Sequence, residues 1–267
     1  IKLRKGAEWG DGTPVTAKDV KFTLDGQKTN EKLNYHTQVD RYVKEVTITD
    51  DQTAVIMFNA PSPRFKFEIL SLKFDTGIQI VPEHVLSKEA DVTAFKGADV
   101  DGSGTVTKSM PNSGAYKIVS WTVDQKQYDV REDWWGIKTG FQPLSQAKRV
   151  IFTANKDMQI TAQRIVNNEF DATLDLRTEL IKSALKQNAK ITTHTGDQPP
   201  HGYLDWWPNS LWMNLEQAPY SDVKVRKAIS LSIDRPRLNE LLFDGAEIAT
   251  INQFPLYPNL KKLADSP

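Results

Sequence analysis

The sequence predicts an α/β protein, and three observations carry that expectation. Segments in which apolar and polar side chains alternate with a period of two are interleaved with segments whose apolar residues recur every three or four positions. Over residues 111–190 the two patterns take turns along the chain. Hydrophobic residues make up 39% of the 267, enough to bury the core of one large or two smaller domains.

Taken in order, IKLR alternates Ile1 and Leu3 with Lys2 and Arg4 as a strand does, and GDGTP then supplies turn residues. Thr16 is a good N-cap, Asp19 completes a capping box, and Val20 and Leu24 share one face of the helix that follows, with Gly26 as its stop. EVTITDDQTAVIMFN alternates Val46, Ile48, Ala54, Ile56 and Phe58 around Asp50 and Asp51, a hairpin with one buried face. Pro82 sits in the first turn of a short helix in VPEHVLSK. From about Ala90 the chain becomes rich in Gly, Ser, Thr and Asp, which marks an exposed loop.

GAYKIVSWTVDQKQYDVRE reads as a second hairpin and KRVIFTAN as a strand carrying Val150 and Phe152. DMQITAQRIVNNEFDA and TELIKSALKQ read as helices, the second with Leu180, Ile181, Ala184 and Leu185 on one stripe, and KITTHT as a strand. Ser221 is the expected cap of a helix bearing Val225, Ala228, Ile229 and Ile233, with Asp222 and Arg226 as an ion pair on its face. Asp234 and Pro236 open another helix with Leu238, Leu241 and Leu242, which Gly245 ends. The proline-rich last sixteen residues predict no closing element.

Charge and composition exclude several classes. With 34 basic and 34 acidic residues the net charge is zero, and no Lys/Arg run could track phosphates, so nucleic acid is not an expected partner. Cysteine is absent, which excludes disulfides, thiolate nucleophiles and Cys-ligated zinc. His36, His84, His194 and His201 lack the i, i+4 spacing of a zinc-protease helix and read as surface or lightly buried. No nucleophile elbow, phosphate-binding loop or GxGxxG motif is written, and enzymatic activity has no motif behind it.

One loop resembles a cation site. DVDGSGTVTKSM places Asp99, Asp101 and Ser103 at positions one, three and five of an EF-hand-like loop, with Gly104 at six and Val106 at eight. Position twelve is Met110 where a bidentate Glu belongs, and no helices flank the loop, so the alternatives are a weak Ca²⁺ site and a plain Asp/Gly turn. No other cofactor is expected.

Tryptophan is doubled twice. Trp134 and Trp135, after a hairpin and before Gly136, read as packing residues. DWWPNSLWMN sets Trp206, Trp207 and Trp212 among Asn209, Ser210 and Asn214, where aromatic faces beside amides suit the apolar face and hydroxyls of a sugar ring. Trp206, Trp207, Asn209, Ser210 and Trp212 are the candidate ligand-binding residues, with structural packing as the open alternative.

Several spaced motifs share one likeness. IKLRKGAEWGDGTPVTAKDV, with Leu3, Arg4, Gly6, Trp9, Asp11, Gly12, Pro14, Thr16, Ala17, Asp19 and Val20, resembles the opening signature of the oligopeptide-type (family 5) solute-binding proteins of ABC importers. SGAYKIVSW is similar to that family's GPYxxxxW, with Ala115 in place of Pro; DWWG at Asp133–Gly136 and NEFDA at Asn168–Ala172 resemble two further signatures. MNLEQAPYSDVKVRKAISLSIDR matches another through Asn214, Pro219, Asp222, Val225, Arg226, Ala228, Ile229, Ile233, Asp234 and Arg235.

The resemblance implies a two-lobed, flytrap-type periplasmic-binding-protein fold with an extra small lobe, here truncated to about half of a full-length member. In that scheme residues 1–110 are the small extra lobe, 111–210 part of the first ligand-binding lobe and 211–267 the start of the second. It further implies an extracytoplasmic monomer, with no signal sequence in this fragment, that captures a short oligomeric solute and passes it to an ABC permease. The segment before Met213 and Asn214 would run between the lobes beside the ligand. Its tryptophans favour an oligosaccharide over an oligopeptide. The rival readings are a glycoside-processing enzyme, which needs two carboxylates about 5–9.5 Å apart, and a sensor or scaffold with an exposed apolar patch.

Overall fold

The computed structural model describes residues 1–72, 76–154, 157–174, 176–202, 209–251 and 257–264. The chain packs as two units, Ile1–Ala154 and Asn155–Pro267. The lobes expected to divide near 110 and 210 belong to a whole molecule, whereas this division reflects packing within the chain.

The first unit opens with α1 (Ala17–Thr29) and α2 (His36–Tyr42), which pack on a hairpin of β1 (Val43–Asp50) and β2 (Thr53–Phe58). The capping box forms as expected, with the Asp19 carboxylate accepting from Thr16 N at 2.7 Å. Ala17, Val20 and Leu24 fall on one face by the 3.6-residue period and join Val39, Val43, Val46 and Ala54 in the core. Gly26 does not stop the helix. A mid-helix glycine costs only about 1 kcal/mol, and the last turn is tied down by Lys28, whose Nζ donates to the carbonyls of Val43 (2.6 Å) and Lys44 (2.7 Å).

The opening residues make an isolated bridge, Lys2 to Thr53, rather than a strand. Within the hairpin, the register shift at Val43/Glu45 lets Val43 and Val46, three apart, both be buried, while Ile48, in regular register opposite the buried Ala54, is 40% exposed. Two short helices follow, α3 (Phe65–Glu68) and α4 (Glu83–Leu86), then a 3₁₀ turn at Val92–Ala94. The loop expected near residues 95–110 contains a small antiparallel hairpin, β3 (Ala98–Val100) with β4 (Val106–Ser109). Beyond it, β5 (Tyr116–Trp121), β6 (Gln125–Val130) and, after α5 (Trp135–Lys138), β7 (Arg149–Thr153) form an antiparallel sheet in the order β5-β6-β7.

The second unit is helical over its described residues: α6 (Met158–Val166), α7 (Thr178–Gln187), α8 (Val223–Ser232), α9 (Arg235–Phe243) and α10 (Pro258–Ala264). Three expectations change here. Lys190–Thr195 is not a strand, because the Asn188 side chain and local carbonyls take up its amides in turns: Lys190 N to Asn188 Oδ1 at 3.0 Å and Gly196 N to Thr193 O at 3.3 Å. The cap of α8 is Asp222, not Ser221, its carboxylate accepting from Lys224 N at 2.8 Å, while Arg226 donates to the carbonyls of Tyr220 (2.7 Å) and Ser221 (3.0 Å). A closing element does exist as α10, since Pro258 is tolerated at a helix start where its missing N–H costs nothing.

Candidate functional site

Of the tryptophan segment, Trp206 and Trp207 lie outside the described residues. Asn209, Ser210 and Trp212 are described and exposed, in a stretch without regular secondary structure that runs to the residues before α8. The Trp212 side chain is 79% exposed beside Leu211, and among the described residues no aromatic ring stacks on it. An indole held this open, next to an amide and a hydroxyl, offers a flat apolar face with hydrogen-bonding groups at its margin. That combination suits a sugar ring or the side chains of a peptide.

Upstream of it the structure corrects one reading and adds a residue that sequence reasoning passed over. His201, expected on the surface or lightly buried, is 4% exposed, and among the described residues neither ring nitrogen has a hydrogen-bond partner. Its backbone is in the left-handed region (φ 63°) and is clamped on both sides: the N–H reaches Thr195 Oγ1 at 2.9 Å and the carbonyl accepts from His194 N at 3.1 Å. A buried, unpaired polar side chain costs about 1–3 kcal/mol, and the large majority of such groups find a partner in folded proteins. In the sequence only the Pro-Pro-His-Gly turn at 199–202 hinted that this histidine sits at a forced bend.

The other tryptophan pair is structural, as its position suggested. Trp134 and Trp135 are both buried, both indole N–H groups donate to the Ser113 carbonyl (2.9 and 2.8 Å), and Phe141 stacks on Trp135 with ring centres 5.3 Å apart. Arg131 donates to the carbonyls of Asn112 (3.1 Å) and Gly114, so the 112–114 turn is gripped from one segment. Burial holds the Arg131 guanidinium below its ordinary range, with the charge of Asp133 opposing that shift. Gly136 is required there, because a Cβ would lie 2.5 Å from the Trp134 ring.

The acidic loop is a hairpin turn without flanking helices. Asp101 Oδ1 accepts from the Ser103 hydroxyl (2.7 Å), Ser103 N (2.8 Å) and Thr105 N (3.0 Å), bonds that hold its carboxyl below the usual range. Asp99 lies on β3 opposite Lys108. Among the described residues no group of three or more His, Cys, Asp or Glu side chains is placed to hold a metal ion. The Asp101 carboxylate and the Ser103 hydroxyl hold the shape of the turn through these bonds.

Comparison with known proteins bears on what the exposed segment serves. A family profile described as bacterial extracellular solute-binding proteins, family 5 middle, matches residues 1–265. The dipeptide-binding protein of Escherichia coli K12 is 23% identical over 275 residues, covering 95% of this chain and 46% of that protein. The periplasmic oligopeptide-binding protein OppA of Salmonella typhimurium is 23% identical over 283 residues, covering 98% of this chain and 47% of its own length. Among solved structures, a periplasmic oligopeptide-binding protein from Thermotoga maritima superposes with a TM-score of 0.77 at 20% identity, covering 99% of this chain and 47% of that one. A mannohexaose-bound structure of a Thermotoga maritima oligopeptide-binding protein gives 0.72 at 22% identity, with coverage of 99% and 47%. The chain spans about half the length of these relatives or less, and their mixed α/β fold is the one expected from its sequence.

Proposed function

The chain belongs to the family 5 bacterial extracellular solute-binding proteins, and from that premise we propose that the whole protein captures a short oligomeric solute outside the cytoplasm and delivers it to an ABC permease in the membrane. The observation that carries this reading is the match of one family over residues 1–265. No covalent step is involved. Capture is a shift from an open to a closed population, driven by contacts that form only when both lobes meet the solute.

Within that class the solute is an oligosaccharide. The 79% exposure of Trp212, between Asn209, Ser210 and Asn214, supports it, as does the mannohexaose found in a structural relative. The second reading is an oligopeptide, which the names of the dipeptide- and oligopeptide-binding relatives favour. Calorimetric titration of the whole protein with manno-, cello- and xylo-oligosaccharides and with a mixed tri- to pentapeptide pool separates the two. Saturable binding to a sugar series, weakened about tenfold or more by Trp212→Ala, is the expected result. Saturation by peptides alone would return Trp212 to a structural role, and binding to neither would overturn solute capture.

A further inference from the structure

Two strands of the first unit have their outer main-chain groups taken up by the chain itself. On β1 the carbonyls of Val43, Lys44 and Val46 accept from Lys28 and Lys21 at 2.6–2.8 Å. Along β2 the opening residues pair through Leu3 N to Gln52 O (2.8 Å) and Ala54 N to Ile1 O (3.0 Å). A strand edge without such cover is a row of unpaired N–H and C=O groups, ready to take another extended chain.

β3 has an edge of that kind. Gly97 O accepts from Met110 N (2.8 Å) and Asp101 N donates to Thr105 O (3.0 Å), so in the antiparallel alternation Gly97, Asp99 and Asp101 face β4, while Ala98 and Val100 turn their main-chain groups the other way. The register shift between Asp99 and Val100 makes Thr107 the extra residue on β4, and the alternation along β3 is unbroken. Among the described residues, neither Ala98 nor Val100 has a main-chain partner on that side.

A groove of about 460 Å³ lies against Ala98, lined by residues 89–91 and 94–99 with Lys108 and Ser109. Glu89, Lys96, Asp99 and Lys108 are part of its lining, and among the described residues none of the four is in an ion pair. The occupant that fits has a main chain to pair with Ala98 and Val100 and carries charges of both signs. A short free peptide has both, with amides and carbonyls along its length, an ammonium at one end and a carboxylate at the other. The three residues of β3 span roughly 10 Å at about 3.3 Å per residue, the length of a tripeptide. A neutral oligosaccharide has neither the charges nor the strand repeat.

We propose that the outer edge of β3 binds a short zwitterionic peptide, which adds beside Ala98 and Val100 as a third strand on the β3–β4 hairpin, its termini against the charged side chains of the groove. This site belongs to the first unit and does not depend on the solute-binding reading of Trp212.

The test is residue-resolved amide hydrogen exchange, read by NMR on the whole protein with and without a mixed tripeptide pool. The pool is used at several millimolar, because a few main-chain bonds alone support a Kd of only about 1 mM. Strand addition predicts exchange slowed at least about threefold at Ala98 and Val100, with Asp99 unchanged because its amide already faces β4. Backbone N-methylated tripeptides should lose most of the effect, and mannohexaose should have none. Ala98→Pro, which removes an outward N–H and no bond to β4, should abolish the slowing at Val100. Should that variant disrupt the hairpin, the wild-type amides and the N-methylated probe carry the test. No slowing at Ala98 and Val100, or equal slowing at Asp99, would overturn the proposal. Equal slowing by tripeptides acetylated and amidated at their ends would overturn the zwitterionic occupant in favour of a partner protein's strand.

Discussion

Asp19 ties two helices together through one buried carboxylate. Oδ2 accepts from Thr16 N at the start of α1 (2.7 Å), and Oδ1 accepts from Glu83 N at the start of α4 (2.8 Å). The neighbouring Thr23 hydroxyl repeats the pattern, donating to Asp19 O and accepting from Val81 N. Asp19→Ala should therefore cost about 2–3 kcal/mol of unfolding free energy, the loss of a cap plus an orphaned buried amide, read from the urea midpoint. Half of this was legible beforehand. The capping box is written within four residues, but the bond to Glu83 spans 64 and depends on how α4 folds back, which no local pattern encodes.

Acid sensitivity is also a residue-scale property. The Arg149 hydrogen bonds, at 2.6 and 2.8 Å, hold the Asp129 carboxyl below its ordinary range. Because the folded pKa is depressed, the contribution is fully present above the unfolded value of about 3.9 and is lost as pH falls through the folded value. At Asp11 burial works against ionisation, but hydrogen bonds from His84 and Thr13 outweigh it, with the same sign and the same acid window. Melting temperature should thus fall as pH drops below about 4, and Asp129→Asn should flatten part of that fall. A variant with an unchanged slope would show that the Asp129–Arg149 pair contributes nothing to the acid response.

At the scale of elements, the two best-read pieces are α1 and the β5–β6 hairpin, whose apolar periods are long and whose ends carry caps or turns. Leu24, fully buried on α1, should cost about 2–5 kcal/mol when replaced by Ala, checked by denaturant unfolding. The misread pieces are short. Four apolar or β-branched residues at Ile191–Thr193 and Thr195 resemble a strand, yet side-chain bonds within the loop outcompete a sheet partner. The β3–β4 turn hid inside a composition that reads as loop, and Gly104 is its hinge at φ 82°. A Cβ there would lie 2.5 Å from Thr122 Cγ2 and 3.1 Å from Trp121 O, so Gly104→Ala should destabilise by about 1–3 kcal/mol in the same assay.

Across the whole molecule, apolar burial is uneven. The core of the first unit gathers around α1 and β1–β2, whereas α8 and α9 contain no buried residue and leave Leu231 at 86% and Leu241 at 67% exposure. The apolar stripes of α8 and α9 were visible as helical periods, but a period shows which residues share a face and not what covers it. The candidate site was legible to the same degree. Doubled tryptophans beside asparagines mark Trp212 from composition and order alone, while His201 needed coordinates, because burial and the absence of a partner are properties of the fold.

The central claim, that this protein holds an oligomeric solute without altering it, is tested most directly by equilibrium dialysis of the whole protein against mannohexaose and the peptide pool, with mass spectrometry of what is retained. Capture predicts retention above the free concentration of one probe class, with every chain length intact. Retention of neither probe, or recovery of shortened products, would contradict it.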